Sequence, residues 1–309
     1  RSMAELVGEL GVSVIVATRN RAARLEQMLG SLKVALDEAR GPVDVWLVDN
    51  GSTDDTRRVI ESWCASVLQA QSLYVPEPGK SRALNAAIAR ARGEVILFTD
   101  DDVTLDPGWV NAMREFFLLN PEVAAVAGRI LPLVTAGSEK LWAFGAGVWR
   151  LVLPIFDLGE RPRPCVDMYG ANMAVRAQVL RAVGGFDVAL GPGTAGFYDD
   201  LDLARRIRLA GYEIRYSPAA VVYHDVPLDR LNNRYFWERG VGLGMGAYRA
   251  DMGRSLLGDC CALAEASASW VGAALLGRRE KKMRSLFRIA RHWGALRART
   301  NAWWRKQPA

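Results

Sequence analysis

The segment Glu94-Val-Ile-Leu-Phe-Thr-Asp-Asp-Asp102 joins an apolar run directly to three consecutive aspartates. A short run of this kind predicts a strand that is buried on both faces. The three carboxylates repel one another, and an oxygen-rich cluster at a strand end suits Mg²⁺ or Mn²⁺ bound to phosphates. The alternative is a solvated turn in which one carboxylate caps the helix that starts near Asp106-Pro107. Because a cap needs one carboxylate and three are present, the sequence favours the metal site.

The residues before this segment alternate between strand and helix patterns. Their periodicity predicts strands at 12–17, 43–48 and 72–75 and helices at 22–38, 54–66 and 81–92. Such alternation is typical of βαβ units and a parallel sheet. Ligands of these sheets bind beyond the carboxyl ends of the strands. Thr18-Arg-Asn20, Asp49-Asn-Gly51 and the aspartate triplet all lie at such ends.

Composition excludes several classes of protein. Of the 309 residues, 50% are hydrophobic and 24% are charged, which argues against a disordered or collagen-like chain. The four cysteines show no metal-binding spacing and fit a reducing compartment better than secretion. Neither a signal peptide nor an uninterrupted apolar run long enough to span a bilayer is expected.

Charge is distributed unevenly along the chain. Residues 278–309 contain eleven Lys or Arg and one Glu, a net charge of +10, whereas residues 1–277 carry a net charge of −4. An acidic body with a basic tail does not predict nucleic-acid binding, which usually needs basic groups along the working groove. The tail also has apolar residues at helical spacing, between Met283 and Trp303. It is predicted to bind an anionic membrane surface; the alternative is a helix packed on the body with a solvated basic face.

Two segments that occupy the positions of phosphate-binding motifs fail those motifs. Gly79-Lys-Ser81 lacks the earlier glycine of a P-loop, because position 74 is Tyr, and Thr18-Arg-Asn-Arg-Ala22 lacks the glycines of a dinucleotide-binding turn. A third segment, Gly240-Val-Gly-Leu-Gly-Met-Gly246, follows no predicted strand. Close helix packing or a flexible loop is the better interpretation of it.

The Asp199-Asp200 pair and His224 can each be interpreted as structural or as functional. Asp199 and Asp200 open a predicted helix, where acidic residues either compensate the helix dipole or supply a general base. His224 follows a predicted strand at 219–223 and is one of two histidines in the chain. A lone histidine is more often structural than a ligand.

Taken together, these motifs resemble the family 2 glycosyltransferases, which have the GT-A fold. The resemblance covers residues 12–249 and rests on the order of several segments. These are Val14-Ile-Val-Ala-Thr-Arg-Asn20, Val48-Asp-Asn-Gly-Ser-Thr-Asp-Asp-Thr56, Gly79-Lys-Ser-Arg-Ala-Leu-Asn85, Ala91-Arg-Gly-Glu94, the aspartate triplet, Gly170-Ala-Asn-Met-Ala-Val-Arg176 and Gly184-Gly-Phe-Asp187. The fold implied is a mainly parallel central sheet flanked by helices, with a helical C-terminal extension.

The resemblance also implies roles for individual residues. Asp200 would be the catalytic base, and Asp199 stands where the family usually has Glu. The implied metal ligands for Mn²⁺ or Mg²⁺ are Asp100, Asp102 and His224. The implied donor-binding residues are Thr18, Asn20, Asp49, Lys80, Arg82, Asp100, Asp101 and Arg239, with Asp49 on the nucleobase.

The implied organisation has four parts. Residues 1–10 form an N-terminal tag or arm, 11–127 a nucleotide-sugar-binding half, 128–227 an acceptor-binding half with the catalytic base, and 228–309 a helical basic extension. The expected protein is a cytoplasmic enzyme, peripheral at the inner face of the membrane, in surface-polysaccharide assembly.

The implied function is inverting, metal-dependent transfer of a sugar from a nucleoside diphosphate, UDP or dTDP, to a hydroxyl of a saccharide or lipid-linked acceptor. One alternative is a nucleotidyltransferase on a related fold, against which the missing glycines after the first strand argue. The other is a non-catalytic scaffold that binds sugar nucleotides, against which the retention of Asp102 and Asp200 argues.

Overall fold

The structure is a computed structural model that describes residues 10–133, 153, 155–194, 197–225, 232–250 and 253–304. The described residues form two compact units. The first contains those up to Leu133, Ile155–Val188 and Asp200–Asp225; the second contains the described parts of 134–154, Ala189–Asp199 and 226–309. Most of the predicted N-terminal arm and many of the predicted acceptor-side loops lie outside the described residues. The four-part division made from the sequence stays a prediction.

The first unit contains strands β1 to β9 and helices α1 to α5, and most of α6. The strands are β1 Val12–Thr18, β2 Val43–Asp49, β3 Ala70–Tyr74, β4 Val95–Thr99, β5 Val103–Leu105, β6 Ala125–Leu133, β7 Arg163–Pro164, β8 Asn172–Arg176 and β9 Ile214–Asp225. The helices are α1 Ala22–Asp37, α2 Thr56–Ser66, α3 Lys80–Ile88, α4 Trp109–Leu119, α5 Ala177–Val183 and α6 Asp199–Leu209. The second unit contains α7 Asn233–Arg249, α8 Leu256–Leu275 and α9 Arg279–Trp304.

Within the described residues, the sheet has the strand order β3-β2-β1-β4-β8-β6-β9-β5, and β7 pairs with β9. The first four strands of that order are parallel, as the βαβ pattern predicts. β8 is antiparallel to both β4 and β6, while β6 and β9 are parallel to each other. The sheet is therefore parallel where the predicted strand ends lie and mixed beyond β4.

The sheet is covered by helices on both faces, which explains its continuous apolar strands. In β1, Val14 and Val16 face one hydrophobic cluster, to which α1, α2 and α4 contribute. Ile15 and Ala17 face the other cluster, which contains residues of α3, α5 and α6. Alternate residues of one strand thus enter opposite layers, as the two-residue period of a strand requires.

A buried amide holds the irregular junction between β6 and β9. The pairing of these strands shifts after Gly128, which leaves residues 218–220 of β9 unmatched. Asn172 on β8 donates to the carbonyls of Arg129 and Ala220 at 2.9 and 2.8 Å, and a Cβ at position 128 would lie 2.3 Å from its Nδ2. Only glycine leaves room for this amide at position 128.

In the second unit, the glycines of α7 serve close packing rather than a loop. A Cβ on Gly240 or Gly244 would lie 2.7 Å from Ala290 Cβ or 1.8 Å from the carbonyl oxygen of Arg291, both on α9. A Cβ on Gly246 would meet the carbonyl oxygen of Phe197 at 1.7 Å. The helix-packing interpretation of the segment is confirmed.

The C-terminal helix α9 buries Phe287 and several small residues but leaves another large apolar residue exposed. Ala290, Ala295 and Ala298 are buried, whereas Trp293 is 49% exposed. The basic tail is therefore a packed helix that still presents a large apolar side chain to solvent. In the described ranges, no helix combines the length and the apolar character needed to cross a bilayer.

Candidate active site

Strand register brings the predicted polar segments to one edge of the first unit. Thr18 at the end of β1 pairs with Asp49 at the end of β2, and Val16 pairs with Thr99 at the end of β4. The aspartate triplet follows Thr99 immediately. The carboxyl ends of three parallel strands thus meet, as predicted.

Each of the three consecutive aspartates has a different partner. Asp100 forms an ion pair with Lys80 at the start of α3. Asp101 accepts a hydrogen bond from the Thr18 hydroxyl at 2.5 Å. Asp102 Oδ1 lies 3.3 Å from His224 Nε2. The triplet is therefore not a solvated turn, because each carboxylate is fixed by another element.

Asp101 is the buried member of the triplet. Burial, together with the neighbouring charge of Asp102, raises the pKa of Asp101 to about 6, although the Thr18 hydrogen bond opposes the shift. Its contact with Thr18 ties the start of the triplet to the end of β1. Asp101 and Thr18 therefore hold each other at the strand ends, and their donor-binding roles stay predictions.

The antiparallel pairing of β5 with β9 positions His224. Val103 pairs with His224, and the Asp225 amide donates to the Asp102 carbonyl at 3.0 Å. His224 Nδ1 lies 2.7 Å from the Asp225 carbonyl oxygen, a geometry that directs Nε2 towards Asp102. Burial disfavours the charged imidazole, but the Asp102 hydrogen bond and the acidic surroundings outweigh burial and raise the pKa of His224.

Two arginines that lie near Asp102 were not identified by the sequence analysis. Arg21 Nη1 lies 3.4 Å and Arg24 Nη1 lies 3.9 Å from Asp102 Oδ2. Arg21 precedes α1 and Arg24 lies in its first turn. Their position directly after β1, the first of the converging strands, is the signal that could have found them.

The segment after β2 forms a rigid polar loop around Asp49. Asp49 is 2% exposed, and its Oδ1 accepts a hydrogen bond from the Ser52 amide at 2.9 Å. Its Oδ2 is buried with no hydrogen-bond partner in the described structure. A buried carboxylate oxygen without a donor is costly, so the pocket is suited to a ligand that supplies an N–H group.

Two asparagines hold this loop. Asn50 donates to the carbonyls of Val75 and Glu77 at 3.1 and 2.8 Å and accepts from the Gly79 amide at 2.8 Å. Asn20, at a positive φ of 54°, accepts from the Thr53 amide at 2.8 Å. Asn20 thus contacts the loop of the predicted base site, whereas Asn50, which the sequence analysis did not single out, ties that loop to the start of α3.

Gly170 is a buried position beside oppositely charged groups. A Cβ there would lie 3.2 Å from Lys80 Nζ, 3.9 Å from Asp100 Oδ1 and 4.0 Å from Asp200 Oδ2. Asp200 accepts hydrogen bonds from the Gly170 and Leu201 amides at 3.1 and 2.8 Å. Two backbone donors therefore fix the Asp200 carboxylate beside the Lys80 ammonium group.

The remaining predicted residues lie around these groups or in the second unit. Asp199 is buried at the start of α6 and belongs to the second unit. Arg82 is exposed on α3. Arg239 lies on α7 in the second unit, where its guanidinium stacks 4.2 Å from the centre of the Phe197 ring. The donor-binding roles of Arg82 and Arg239 stay predictions.

The donor groups present fit a divalent cation in part. In the described part of the chain, no group of three His, Cys, Asp or Glu side chains is arranged to hold a metal. Asp102 and His224 are adjacent, whereas Asp100 pairs with Lys80. One carboxylate and one imidazole suit Mn²⁺ or Mg²⁺ when phosphate oxygens and water complete the coordination. The Nδ1 contact to a backbone carbonyl is also typical of a metal-binding histidine.

The family model of glycosyl transferase family 2 matches residues 13–184, more than half of the chain. The chain belongs to glycosyl transferase family 2. The matched residues include β1 through β8 and therefore the strand ends that meet at the aspartate triplet.

Relatives and solved structures agree with the family and the fold. A pre-mycofactocin glycosyltransferase of Mycobacterium tuberculosis is 30% identical over 221 residues, which cover 69% of this chain and 42% of that protein. A glucosyl-dolichyl phosphate glucuronosyltransferase of Haloferax volcanii is 23% identical over 235 residues, or 74% of each chain. The chain spans 42–51% of the length of the first curated relatives that it matches.

Among solved structures, the mannosyltransferase PcManGT from Pyrobaculum calidifontis, in complex with GDP-Man and Mn²⁺, superposes with a TM-score of 0.61. It is 23% identical, and the match covers 96% of this chain and 88% of that one. The predicted fold is confirmed: this family 2 chain has a central sheet flanked by helices, with a helical C-terminal region and the GT-A architecture of its neighbours.

Proposed function

We propose that this chain is an inverting, metal-dependent glycosyltransferase that moves a sugar from a nucleoside diphosphate to an acceptor hydroxyl. The observation that carries the proposal is the set of charged groups around Gly170. There the fixed carboxylate of Asp200 and the ammonium group of Lys80, which is paired with an aspartate of the triplet, approach the same glycine. A base next to a phosphate-binding cation is what transfer from a diphosphate donor requires.

Asp200 is proposed as the general base. Its carboxylate accepts the proton of the acceptor hydroxyl while that oxygen forms a bond to C1 of the sugar. The bond from C1 to the diphosphate oxygen breaks at the same time, and the electron pair leaves with the nucleoside diphosphate. Because the acceptor attacks from the face opposite the leaving group, a single displacement inverts the configuration at C1.

The donor is proposed to bind between the ends of β1, β2 and β4. The buried Asp49 Oδ2, which lacks a hydrogen-bond partner, would accept from the ring N–H of uracil or thymine. Lys80 would contact the diphosphate, since an ammonium group is a strong phosphate ligand. Arg21 and Arg24 add positive charge beside Asp102. UDP and dTDP sugars are therefore the proposed donors.

Asp102 and His224 are the residues that would hold Mn²⁺ or Mg²⁺. The cation supplies neutralisation of the negative charge that develops on the departing diphosphate. Within the protein, the Asp225 carbonyl orients the His224 ring and the pairing of β5 with β9 holds it beside Asp102.

A screen of donors tests the proposal. Purified protein is incubated with UDP-, dTDP- and GDP-sugars and Mn²⁺, and release of the nucleoside diphosphate is measured with saccharide and lipid-linked acceptors. The proposal predicts release from a UDP or dTDP sugar. Asp55→Asn, which changes an exposed carboxylate on α2 that pairs with Arg58, is the matched control and should retain activity. Release of pyrophosphate from a nucleoside triphosphate would favour a nucleotidyltransferase instead, and failure to turn over any donor would favour a binding scaffold.

We also propose that the second unit attaches the enzyme to an anionic membrane at the cytoplasmic face, which suits a lipid-linked acceptor. Leu275 and Leu276 are 82% and 67% exposed at the end of α8, directly before a basic run at 278–282. Each basic residue near an anionic leaflet contributes about 1 kcal/mol. Replacing Arg278, Arg279, Lys281 and Lys282 by Gln should therefore release the protein from anionic vesicles in co-sedimentation.

The matched control replaces four exposed arginines of the first unit by Gln and should leave vesicle binding intact. These are Arg57, Arg58, Arg90 and Arg181. Equal behaviour of the two variants would contradict attachment through the second unit.

A further inference from the structure

The second unit contains a cavity of about 410 Å³ between the glycine-rich part of α7 and one face of α9. Its floor is made of small or apolar residues, Gly244, Ala247, Phe287 and Ala295. Arg284, Arg288, Arg291 and His292 on α9 line its wall, together with Arg254 and Asp259. Glycine at position 244 lets α7 and α9 approach closely, while the longer arginines line the space beside the contact.

The charges around this cavity do not cancel. Four arginines line it, and Asp259 is the one carboxylate among the described residues of the lining. Asp259 is buried and already engaged, because its oxygens lie 3.1 Å from His292 Nδ1 and 3.2 Å from Arg299 Nη2. The lining therefore carries an excess of positive charge that no group within the cavity offsets.

The carboxylates outside the cavity offset only part of this excess. Arg284 pairs with Glu280 at 2.7 Å and Arg288 with Glu265 at 3.0 Å. These pairs are exposed and hence weak, so the arginines can turn towards a stronger anion at little cost. No carboxylate within ion-pair distance of Arg291 or Arg254 is found in the described residues, and both side chains are exposed.

The histidine of the cavity is held by a buried partner. Asp259 binds Nδ1 of His292, which fixes the ring and leaves Nε2 as the nitrogen for another partner. The pairing of Asp259 with His292 and Arg299 thus holds the imidazole beside the guanidinium groups of the lining. One guanidinium group can donate two parallel hydrogen bonds to two oxygens of a phosphate, which gives the contact a defined geometry.

We infer that this cavity is a phosphate-binding site, which takes a mono- or diphosphate group from a soluble phosphate ester or from a lipid headgroup. The arginines of α9 and Arg254 bind the phosphate oxygens, and Nε2 of His292 is the ring nitrogen that forms a hydrogen bond with the phosphate group. The inference concerns the second unit alone and does not depend on the proposed glycosyl transfer.

A binding experiment with inorganic pyrophosphate tests the site. Titrations are done in EDTA by calorimetry, and the ¹H–¹⁵N signals of the two histidine rings are followed by NMR and assigned with His292→Gln. The ring signal of His292 should shift on addition of pyrophosphate. Arg254→Gln combined with Arg291→Gln should weaken binding roughly tenfold or more, the effect expected for losing charge-assisted contacts. Arg297→Gln, which removes one positive charge from an exposed arginine of α9 outside the cavity lining, should not.

A second arm identifies the source of the phosphate. Vesicles of phosphatidylcholine with phosphatidic acid are compared with soluble pyrophosphate for the wild type and both variants. A shift of the His292 signal by either probe that is lost in the double variant and kept in Arg297→Gln supports the site, and the probe that binds more tightly identifies the source. If the His292 signal stays fixed with both probes, or shifts in the double variant as it does in the wild type, the inference is wrong.

Discussion

The two units place their charged residues in different ways. In the first, the polar groups lie at strand ends, where each is held by a neighbouring strand or helix: Asp101 by Thr18, Asp102 by His224 and Asp200 by two amides. In the second, the arginines extend from one face of a helix that packs closely against glycines of α7. Rigid strand ends suit chemistry that needs fixed distances, whereas a helix face suits the binding of an anion.

The polar groups at the strand ends are the ones expected to act in bond making and breaking, whereas the arginines of the helix face are expected to bind a charged group. Variants of the strand-end and base groups of the first unit should change turnover at constant stability, and variants of the second unit should change stability or binding at constant chemistry. The following experiments take these expectations in order of effect size.

The largest effect is expected from Asp200→Asn. The amide cannot take the proton of the acceptor, so transfer should fall by about 10²- to 10⁴-fold, the usual contribution of a general base. Donor affinity should change little, because the base acts on the acceptor. Initial rates and calorimetric donor binding, measured on the same preparation, check both expectations.

Asp202→Asn is the informative companion to this variant. Asp202 is buried two residues further along α6 and pairs with Arg206 at 2.7 Å. Its loss should lower the free energy of unfolding while the rate per folded molecule stays near that of the wild type. Loss of donor affinity in Asp200→Asn would instead make Asp200 part of the donor site.

Cysteine reactivity should differ between the units by roughly tenfold or more. Burial raises the pKa of Cys64 to about 11 and that of Cys165 to about 12, so few of these thiols are ionised at pH 8. Cys260 and Cys261 in the second unit are exposed. Iodoacetamide should therefore modify Cys260 and Cys261 first, as detected by peptide mass spectrometry. Equal rates for the four thiols would contradict the burial described for the first unit.

The smallest effect is expected from glycine substitutions in the second unit. Gly244→Ala would bring a Cβ within 1.8 Å of a backbone oxygen of α9, so the helices must separate. Overpacking of this kind costs about 1–3 kcal/mol of unfolding free energy. A Cβ at position 272 on α8 has no atom within 4 Å, so Gly272→Ala should stabilise the helix by up to about 1 kcal/mol. Urea unfolding of both variants checks the opposite signs; the same sign for both would show that the glycine contacts do not matter.

The parallel half of the fold could be predicted because its information is local. The runs at β1, β2 and β4 are apolar on both faces, and the polar residues begin where the strands end, so the aspartate triplet and Asp49 followed from the sequence. The mixed half could be predicted only in part, because 219–223 was expected as a strand but its pairing was not. β9 runs through three unmatched residues, Pro218 among them, and its irregular pairing depends on Asn172 from another strand.

The same distinction applies to individual residues of the site. Arg21, Arg24 and Asn50 have no periodicity of their own, and their roles arise only when strands and loops come together. The packing of glycines 240–246 likewise depends on α9, some fifty residues later in the chain. The partner of Asp100 also depended on tertiary structure, since the sequence could not show that Lys80 occupies its carboxylate.

The central claim is that the ends of β1, β2 and β4 form a metal-assisted nucleotide site with Asp102 and His224. Calorimetric titration of UDP and dTDP, with Mn²⁺ and then with EDTA, tests it most directly on the wild type, Asp102→Asn and Asp55→Asn. The account predicts binding to the wild type and to Asp55→Asn that needs Mn²⁺, and a marked loss of affinity in Asp102→Asn. Equal affinity in EDTA and in Mn²⁺, or unchanged binding by Asp102→Asn, would contradict it.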